Sequence, residues 1–349
     1  MKISHCIFTM DTGGAQMLVV DMLNELQNRH DVSLIIVNNE YNLELLGKLN
    51  NNIKVFFVER KAGSKNIMPL IKLNYILYKI KPDVVHCHEP NMINFFLFRR
   101  FKCLFTVHDV GIKFNVNKYD ISIAISESVA KDVETRYNEK ISVIYNGVPI
   151  KLINRKTAYE VTADRPIKIV QISRLMHEKK GQDILIRSFK LLSEIVDRKL
   201  ELYFIGDGES LQFLAELVKE LKIVNKVNFM GNISREWIMD NLSTFDILVQ
   251  PSRYEGFGLT IVEGMAAGLP VVTSQIEGPA EIQRKCGIDF MFENGNVDQC
   301  ASKIFEVINL YFLSNVESLT NSVYEKILDF YTVEKMIENY EEKYRMAIF

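Results

Sequence analysis

The sequence predicts an α/β protein with two doubly wound parallel-sheet domains that face each other across a cleft. Short apolar runs alternate with longer amphipathic runs, which is typical of strand–helix–strand units in a parallel sheet. This alternation occurs twice along 349 residues, a length that suits about two domains of ~150 residues each. We therefore predict a first domain over 1–150 and a second over 167–330, with ligands at the carboxyl ends of the strands.

The first domain begins with a predicted strand over 2–10, which a Gly13-Gly14 loop joins to an amphipathic helix over 16–27. Four further short apolar runs are predicted strands: 32–37, 84–87, 104–107 and 121–125. The pattern then ends in turn-forming residues at 146–149. Residues 151–166 are polar and lack periodicity, so we predict a linker there.

The second domain repeats the pattern. Its predicted strands are 167–172, 200–205, 227–230, 245–250 and a run that begins at Val271, and its first predicted helices are 182–195 and 210–222. The charged segment 333–345 carries Met336, Tyr340 and Tyr344 on one helical stripe. We therefore expect residues 331–349 to form a final helix that packs back on the first domain.

Composition is that of an ordinary globular protein, with 48% hydrophobic and 25% charged residues and a net charge of −2, which argues against nucleic-acid binding. Five scattered cysteines form no Cys-x-x-Cys pair, so the sequence indicates a reducing cytoplasm and no disulfide framework.

No run approaches the ~18 apolar residues of a membrane span. The apolar stretch 93–98 precedes Arg99, Arg100 and Lys102; a core helix ending in solvated charges is favoured over contact with a membrane surface.

The segment 245–272 reads as strand, glycine-containing loop, short helix and strand. Gly256 and Gly258 allow the backbone to approach a ligand closely, and the unpaired N–H groups that open the helix attract phosphate. Glu255 precedes the first turn of this helix and Glu263 lies within it. The two carboxylates should therefore meet different parts of one ligand, and the arrangement favours a nucleotide-sugar.

Six motifs occur in order along the chain. They are Gly13-Gly14-Ala15-Gln16, Thr106-Val107-His108-Asp109, Tyr145-Asn146-Gly147-Val148, Ser173-Arg174-Leu175 with Glu178-Lys179-Lys180-Gly181, Gly206-Asp207-Gly208, and Glu255 to Glu263. Together they resemble glycosyltransferase family 4, the retaining glycosyltransferases with two Rossmann-like domains (GT-B fold), over nearly the whole chain. The resemblance implies transfer of a sugar from a UDP- or GDP-linked donor to a hydroxyl of a sugar or lipid-linked glycan, in synthesis of a bacterial surface glycan.

Breaking a sugar–diphosphate bond leaves negative charge on the diphosphate, which must be stabilised. The sequence contains no Asp-x-Asp pair to hold a divalent ion, so we expect protein cations to act and no metal or other cofactor to be needed. The resemblance assigns Arg174 and Lys179 to the phosphates. Lys180 is adjacent, and the sequence leaves open which lysine reaches the ligand.

The resemblance also assigns Glu263 to the ribose hydroxyls and Glu255 to the donor sugar, with capping a helix or balancing Arg253 as the structural alternative. The other implied donor-binding residues are Gly13, Gly14, Gly206, Gly256, Phe257, Gly258 and Leu259. The first domain should bind the acceptor and the second the donor.

His108 directly follows a strand, and the resemblance places it by the donor sugar, where it could relay a proton or donate a hydrogen bond. A structural histidine bonded to the backbone is the alternative. His86, His88 and Glu89 suggest a metal site, which we set aside because no third histidine or cysteine with a recognisable spacing completes the set.

Two alternatives to transfer stay open: a nucleotide-sugar epimerase of the same architecture, and a non-catalytic sugar-nucleotide-binding subunit. The expected location is the cytoplasm, with the inner membrane surface as the place of peripheral contact.

Overall fold

The computed structural model describes residues 1–11, 13–162 and 164–348. Phe349, the last residue of the predicted final segment, lies outside the described residues, as do Thr12 in the predicted first domain and Ala163 in the predicted linker. The chain divides into two compact units. Unit 1 is Met1–Val148 with the chain from Tyr331 onward, and unit 2 is Pro149–Phe330.

Unit 1 is built on a sheet of seven parallel strands. The strands are β1 (Lys2–Ile7), β2 (Asp31–Asn38), β3 (Lys54–Arg60), β4 (Val84–Cys87), β5 (Lys102–Val107), β6 (Ile121–Ala124) and β7 (Ser142–Val143). Their order in the sheet is β3-β2-β1-β4-β5-β6-β7. The order reverses between β1 and β4, so the crevice at the carboxyl ends of these two strands is the place where such sheets bind ligands.

Helices cover the sheet of unit 1 because the strands connect in parallel. They are α1 (Gly14–Leu26), α2 (Leu43–Leu46), α3 (Met68–Ile80) and α4 (Glu127–Tyr137). The apolar face of α1, including Leu23 and Leu26, is fully buried with the strand residues Leu34 and Leu104 in one core.

Unit 2 contains six parallel strands: β8 (Ile167–Ile172), β9 (Leu200–Ile205), β10 (Val227–Phe229), β11 (Ile247–Gln250), β12 (Val271–Ser274) and β13 (Met291–Phe292). Its helices are α5 (His177–Lys180), α6 (Gln182–Ile195), α7 (Leu211–Glu220), α8 (Arg235–Asn241), α9 (Leu259–Ala266), α10 (Glu277–Lys285), α11 (Val297–Phe312) and α12 (Val316–Phe330). The strand order is β10-β9-β8-β11-β12-β13, which reverses between β8 and β11. The predicted fold class, two doubly wound parallel sheets, is confirmed.

The last helix, α13 (Val333–Ile348), belongs to unit 1. Its predicted stripe of Met336, Tyr340 and Tyr344 is fully buried. The Tyr344 hydroxyl lies 2.7 Å from Nδ1 of His86, and the Tyr340 hydroxyl lies 2.9 Å from Oγ1 of Thr106. These hydrogen bonds join the helix to β4 and β5 through polar groups that would otherwise be buried without partners.

The segment predicted as a linker, 151–166, belongs to unit 2 in the structure. Nζ of Lys156 lies 3.0 Å from Oδ1 of Asp246, and both side chains are buried. Arg165 binds the same carboxylate at 2.8 Å. A buried charge requires such pairing, so the lack of periodicity in this segment reflected an irregular but anchored chain.

The interpretation of 93–98 as part of a core helix is wrong. The segment contains one 3₁₀ turn, Met92–Phe95, of which Met92 and Ile93 are buried. Leu97 and Phe98 follow as exposed residues. Among the described residues, no helix combines the length and the apolar character needed to cross a membrane.

Candidate functional site

The charged candidates of unit 2 follow β8 and β11, the two strands at which the sheet order reverses. Arg174 lies two residues after the end of β8, and Lys179 and Lys180 lie on the short helix α5. Glu255 lies in the loop that follows β11. Because parallel strands end at the same edge of the sheet, residues far apart in sequence meet there.

Lys180 and Glu255 form an ion pair, with 2.5 Å between Nζ and Oε2. Their side chains are only 20% and 18% exposed. The neighbouring Lys179 instead places Nζ 4.8 Å from the centre of the Tyr254 ring. Of the two lysines that the sequence left undecided, Lys180 is therefore the one directed to the candidate carboxylate.

Arg174 combines an anchored backbone with an exposed side chain. Its carbonyl oxygen accepts a hydrogen bond of 2.9 Å from Nε2 of the buried Gln182. The side chain is 68% exposed, and its Nε lies 3.2 Å from Oε2 of Glu209. An exposed pair of this kind contributes little stability, so the guanidinium can exchange Glu209 for an anionic ligand at small cost.

The backbone between Glu255 and α9 is shaped by glycine. Gly258 has φ of +104°, a conformation that side-chain-bearing residues rarely adopt, and it directly precedes the first residue of α9, Leu259. Phe257 is buried and anchors the turn, and Gly256 comes before it. The first turn of α9, with its backbone N–H groups, therefore begins at the end of this loop.

Glu263 lies on α9, and its Oε1 is 3.6 Å from Nη2 of Arg235 on α8. Sequence reasoning missed Arg235, because nothing in the local pattern links it to a carboxylate on another helix. Gly206 directly follows β9 and has φ of +132°, and a Cβ there would lie 2.1 Å from the carbonyl oxygen of Ser173. The glycine thus lets the Arg174 loop pack against the end of β9.

The alternative in which a glutamate balances Arg253 is wrong. Both terminal nitrogens of Arg253 bind the carboxylate of Asp183 at 2.8 Å, and Nη1 also donates to the carbonyl of His177 at 2.7 Å. Burial alone would raise the pKa of Asp183, but the hydrogen bonds from Arg253 outweigh it and hold the pKa below its usual value. Arg253 is therefore a structural cation that braces α5.

In unit 1, three histidines form a hydrogen-bonded chain across adjacent strands. Nδ1 of His5 on β1 lies 2.9 Å from Nε2 of His88, which follows β4. Nδ1 of His88 lies 3.2 Å from Nε2 of His108, which follows β5. We call these residues the histidine chain; it runs from the buried sheet to the carboxyl edge where His108 was predicted.

Burial keeps the histidine chain neutral. It lowers the pKa of His5 to about 3 and that of His108 to about 4, and it places the pKa of His88 well below the usual value. Neutral imidazole has one N–H donor and one acceptor nitrogen. The two hydrogen bonds of the chain must therefore point in the same direction.

Nε2 of His5 is buried and has no hydrogen-bond partner in the described part of the chain. An unpaired buried N–H is rarer than an unpaired acceptor, so the proton of His5 belongs on Nδ1. His5 then donates to His88, and His88 donates to Nε2 of His108. The remaining proton of His108 lies on Nδ1, which makes this residue a neutral hydrogen-bond donor.

A third histidine does lie beside His86 and His88, contrary to the sequence analysis. It is His5, which stands opposite His86 in the register of β1 and β4. One ring nitrogen from each of the three lies within 4.8 Å of the others. Both ring nitrogens of His86 are 2.7 Å from the hydroxyls of Tyr344 and Thr106, however, so the observed geometry is that of a hydrogen-bond network.

Glu89, considered from sequence only as a metal ligand, is a further candidate at this edge. Burial raises its pKa to about 8, against a hydrogen bond from the backbone of Phe8 that lowers it. Its Oε2 is buried without a partner among the described residues.

The predicted glycines lie at the start of α1, where Gly13 is the extended N-cap and Gly14 the first helical residue.

Comparison with known proteins identifies the family and the fold of the chain. Residues 12–152 match the family model "Glycosyltransferase Family 4", and residues 155–324 match "Glycosyl transferases group 1". The N-acetyl-alpha-D-glucosaminyl L-malate synthase of Bacillus anthracis is 25% identical over 75% of this chain and 74% of its own length.

The lipopolysaccharide core biosynthesis glycosyltransferase LpsE of Rhizobium meliloti is 25% identical over 88% of this chain and 89% of its own. Among solved structures, HepE of Anabaena, crystallised with UDP and glucose, superposes with a TM-score of 0.79 at 19% identity, covering 99% of this chain and 100% of that one. The chain therefore belongs to the group 1, family 4 glycosyltransferases and has the GT-B fold.

Proposed function

We propose that the chain is a metal-independent, retaining hexosyltransferase that uses a UDP- or GDP-linked sugar and glycosylates a hydroxyl of a sugar or lipid-linked glycan. The observation that carries this proposal is the grouping of Arg174, Lys180 and Glu255 at the carboxyl ends of β8 and β11. Cations and a carboxylate together match a ligand with an anionic diphosphate and a sugar that becomes positively charged.

The cations act on the leaving group. As the sugar–phosphate bond breaks, the bonding electron pair passes to the diphosphate oxygen, and Lys180 and Arg174 stabilise the charge that develops there. Phosphate oxygens replace Glu255 and Glu209 as partners of these two cations. The paired carboxylates thus hold the cations in place until the donor arrives. We assign Lys180 to the diphosphate in preference to Lys179, because Nζ of Lys179 lies against Tyr254.

Glu255, once released by Lys180, orients the hydroxyls of the donor sugar and opposes the positive charge at the anomeric carbon. Glu263 accepts hydrogen bonds from the ribose hydroxyls. The N–H groups of Phe257, Gly258 and Leu259 add donors for the diphosphate at the start of α9. None of these roles makes a covalent bond to the sugar. Retention then requires that the acceptor oxygen attack on the face from which the diphosphate leaves, and the proton of the acceptor hydroxyl passes to the departing phosphate oxygen.

His108 contributes a neutral donor from unit 1. With its proton on Nδ1, it donates to a hydroxyl of the donor sugar or the acceptor and does not act as a base. Gly13 and Gly14 contribute a backbone without side chains at the start of α1, which a ligand can approach closely.

The known proteins support this assignment. The structure of HepE was solved in complex with UDP and glucose, and LpsE takes part in lipopolysaccharide core biosynthesis. A surface polysaccharide is accordingly the product class that we propose.

The experiment is a ligand screen followed by a product assay. Thermal shift with UDP, GDP and ADP identifies the base, because a ligand that binds only the folded state raises the melting temperature. The sugar-linked form of that nucleotide is then incubated in EDTA with and without a hydroxyl acceptor, and the anomeric configuration of the product is read by NMR.

Transfer with retention, undiminished by EDTA, is the expected result. Epimerised donor in the absence of acceptor would identify an epimerase. Nucleotide binding without hydrolysis or transfer to any acceptor in the panel would identify a binding subunit. Loss of activity in EDTA that Mg²⁺ or Mn²⁺ restores would overturn metal independence.

A further inference from the structure

Helix α3 exposes an apolar stripe. Met68, Ile71, Tyr75 and Tyr78 recur at helical spacing and are 62%, 48%, 58% and 65% exposed. The helix is held to unit 1 by the opposite face, where Leu73 and Leu77 are buried. Four large apolar side chains on one face of a well-anchored helix are more than the scattered exposed residues of an ordinary surface.

The segment after the 3₁₀ turn extends the stripe. Asn74 fixes it to α3, because its Nδ2 donates to the carbonyl of Phe95 at 2.9 Å and its Oδ1 accepts from the backbone N–H of Leu97 at 2.8 Å. Leu97 and Phe98 are 51% and 82% exposed. Phe98 and Tyr78 line the same groove, so the two elements form one surface.

Basic residues surround this apolar surface. Residues 61–81 contain five lysines and no acidic residue. The basic residues nearest to the apolar stripe are Lys72, Lys79, Lys81, Arg99 and Arg100, and all of them are exposed. Nζ of Lys79 lies 5.4 Å from the ring centre of Tyr75, so charge and apolar area are in direct contact.

Acidic groups do not cancel this charge. Residues 61–102 include two acidic residues, against eight lysine and arginine residues. Asp83 lines the same groove and subtracts one charge, while Oε2 of Glu89 is buried, so a basic surplus remains. Asp120 pairs with Lys102 at 3.6 Å and with Arg99 at 4.0 Å. Its negative charge therefore does not neutralise the lysines of α3.

We infer that this surface, defined by Met68, Ile71, Tyr75, Tyr78, Leu97 and Phe98 with its basic rim, docks on an anionic phospholipid bilayer. Large apolar and aromatic side chains enter the interface while lysine and arginine bind lipid phosphates, which is how a peripheral protein lies on a membrane. Charge complementarity selects this partner over a second copy of the chain, because two copies would bring the basic rims together. The inference goes beyond the proposed function, since binding to vesicles requires neither donor nor transfer.

The test is sedimentation of the full chain with vesicles of phosphatidylglycerol and phosphatidylcholine, and with vesicles of phosphatidylcholine alone. We expect at least tenfold stronger binding to the anionic vesicles, reduced by high salt. The variant Ile71→Ser/Phe98→Ser and the variant Lys72→Glu/Lys79→Glu should each lower this binding at least tenfold. Leu313→Ser, at a site in unit 2 that is 66% exposed, is the matched control and should bind like the parent.

Insertion is read directly with Phe98→Trp in a Trp237→Phe background, which leaves one tryptophan in the chain. Its emission should shift to the blue on anionic vesicles and be quenched by brominated lipid. Equal binding to both vesicle types, binding unaffected by the four substitutions, or no quenching would overturn the inference. Self-association that these substitutions abolish, without vesicle binding, would make a second copy the occupant.

Discussion

The two units place different chemistry at equivalent points of their sheets. Where β8 and β11 end, unit 2 has paired charges, such as Lys180 with Glu255. At the corresponding edge of unit 1, the histidine chain extends from His5 within β1 to His88 after β4, and burial keeps both histidines neutral. Five of the six histidines of the chain lie in unit 1.

Under the proposed function, this difference would let one fold serve two ligands. A paired cation can exchange its carboxylate for a phosphate, which suits the anionic donor. A neutral donor chain adds no net charge and suits hydroxyl groups, which would compete poorly with water for a charged side chain. Four measurements test the comparison, in decreasing order of the expected effect. They are the acid stability of unit 1, the turnover of the enzyme, the binding of the nucleotide and the tautomer of His108.

The largest expected effect is acid instability confined to unit 1. The pKa values of about 3 for His5 and about 4 for His108 lie below the ordinary 6.5. As the pH falls, the unfolded chain therefore binds protons at these two side chains before the folded chain does. Stability is therefore complete above pH 6.5 and falls as the pH drops towards 4, by about 1.4 kcal/mol per pH unit for each buried histidine. Glu89, with a pKa of about 8, acts in the opposite direction and loses its contribution as the pH rises from 4.5 to 8.

The single tryptophan, Trp237, reports on unit 2, whereas far-UV circular dichroism reports on both units. We expect part of the ellipticity to be lost between about pH 6 and pH 4, the range over which the lowered histidine pKa values reduce the stability of unit 1. The fluorescence of Trp237 should stay unchanged over the same range. His177→Gln in unit 2 should leave this transition in place. A single transition in which both signals disappear together would contradict the comparison.

The second expected effect is on turnover. Lys180→Ala should lower kcat about 10²–10³-fold, the range found when one donor to a developing anion is removed. Arg174→Ala should act in the same direction, and Lys179→Ala much less, because that side chain is held against Tyr254. Steady-state kinetics of transfer measure the change. If Lys179→Ala is the more damaging substitution, the assignment of the two lysines must be reversed.

The third effect is on nucleotide binding. Glu263→Ala should raise the Kd of the nucleotide about 10–100-fold, since a hydrogen bond to a charged group contributes about 1.5–3 kcal/mol. The kcat at saturating donor should change little. Isothermal titration calorimetry with the nucleotide measures Kd, and Asp183→Ala, which frees the structural Arg253, is the contrast in which stability should fall instead.

The smallest effect concerns the histidine chain. His88→Phe removes both of its hydrogen bonds and should lower kcat about tenfold, a loss of ~1.4 kcal/mol, with donor Kd unchanged. The ¹⁵N shifts of His108 should show loss of the Nδ1–H tautomer. Thr106→Val, which affects His86 and leaves the chain intact, should preserve both readouts. Unchanged His108 shifts in His88→Phe would show that the chain does not set the tautomer.

Much of the fold could be predicted from sequence because the central strands are buried on both faces. The predictions for 167–172, 182–195 and 200–205 coincide with β8, α6 and β9. The edge strand β3 was missed, since it is only partly buried and its apolar pattern is weak. The exposed Leu97 and Phe98 were misassigned because an apolar run reads as core when its neighbours in space are unknown.

The candidate site could be predicted only where its residues lie in local motifs. Glu255 and Glu263 stand in one segment, so the sequence alone could propose both. The contact of His5 with His88 depends on the register of β1 and β4, and the contact of Glu263 with Arg235 depends on the placement of α8. Neither spacing carries a local signal.

The return of α13 to unit 1 has a consequence for biosynthesis. Unit 2 is continuous in sequence, so the whole of it leaves the ribosome before Tyr340 and Tyr344 do. His86 and Thr106 are translated early but must wait for these two hydroxyls. The half of the protein that is synthesised first is therefore the last to be completed, and a chain that stops at Phe330 should leave a finished unit 2 beside an unfinished unit 1 that chaperones or proteases would engage.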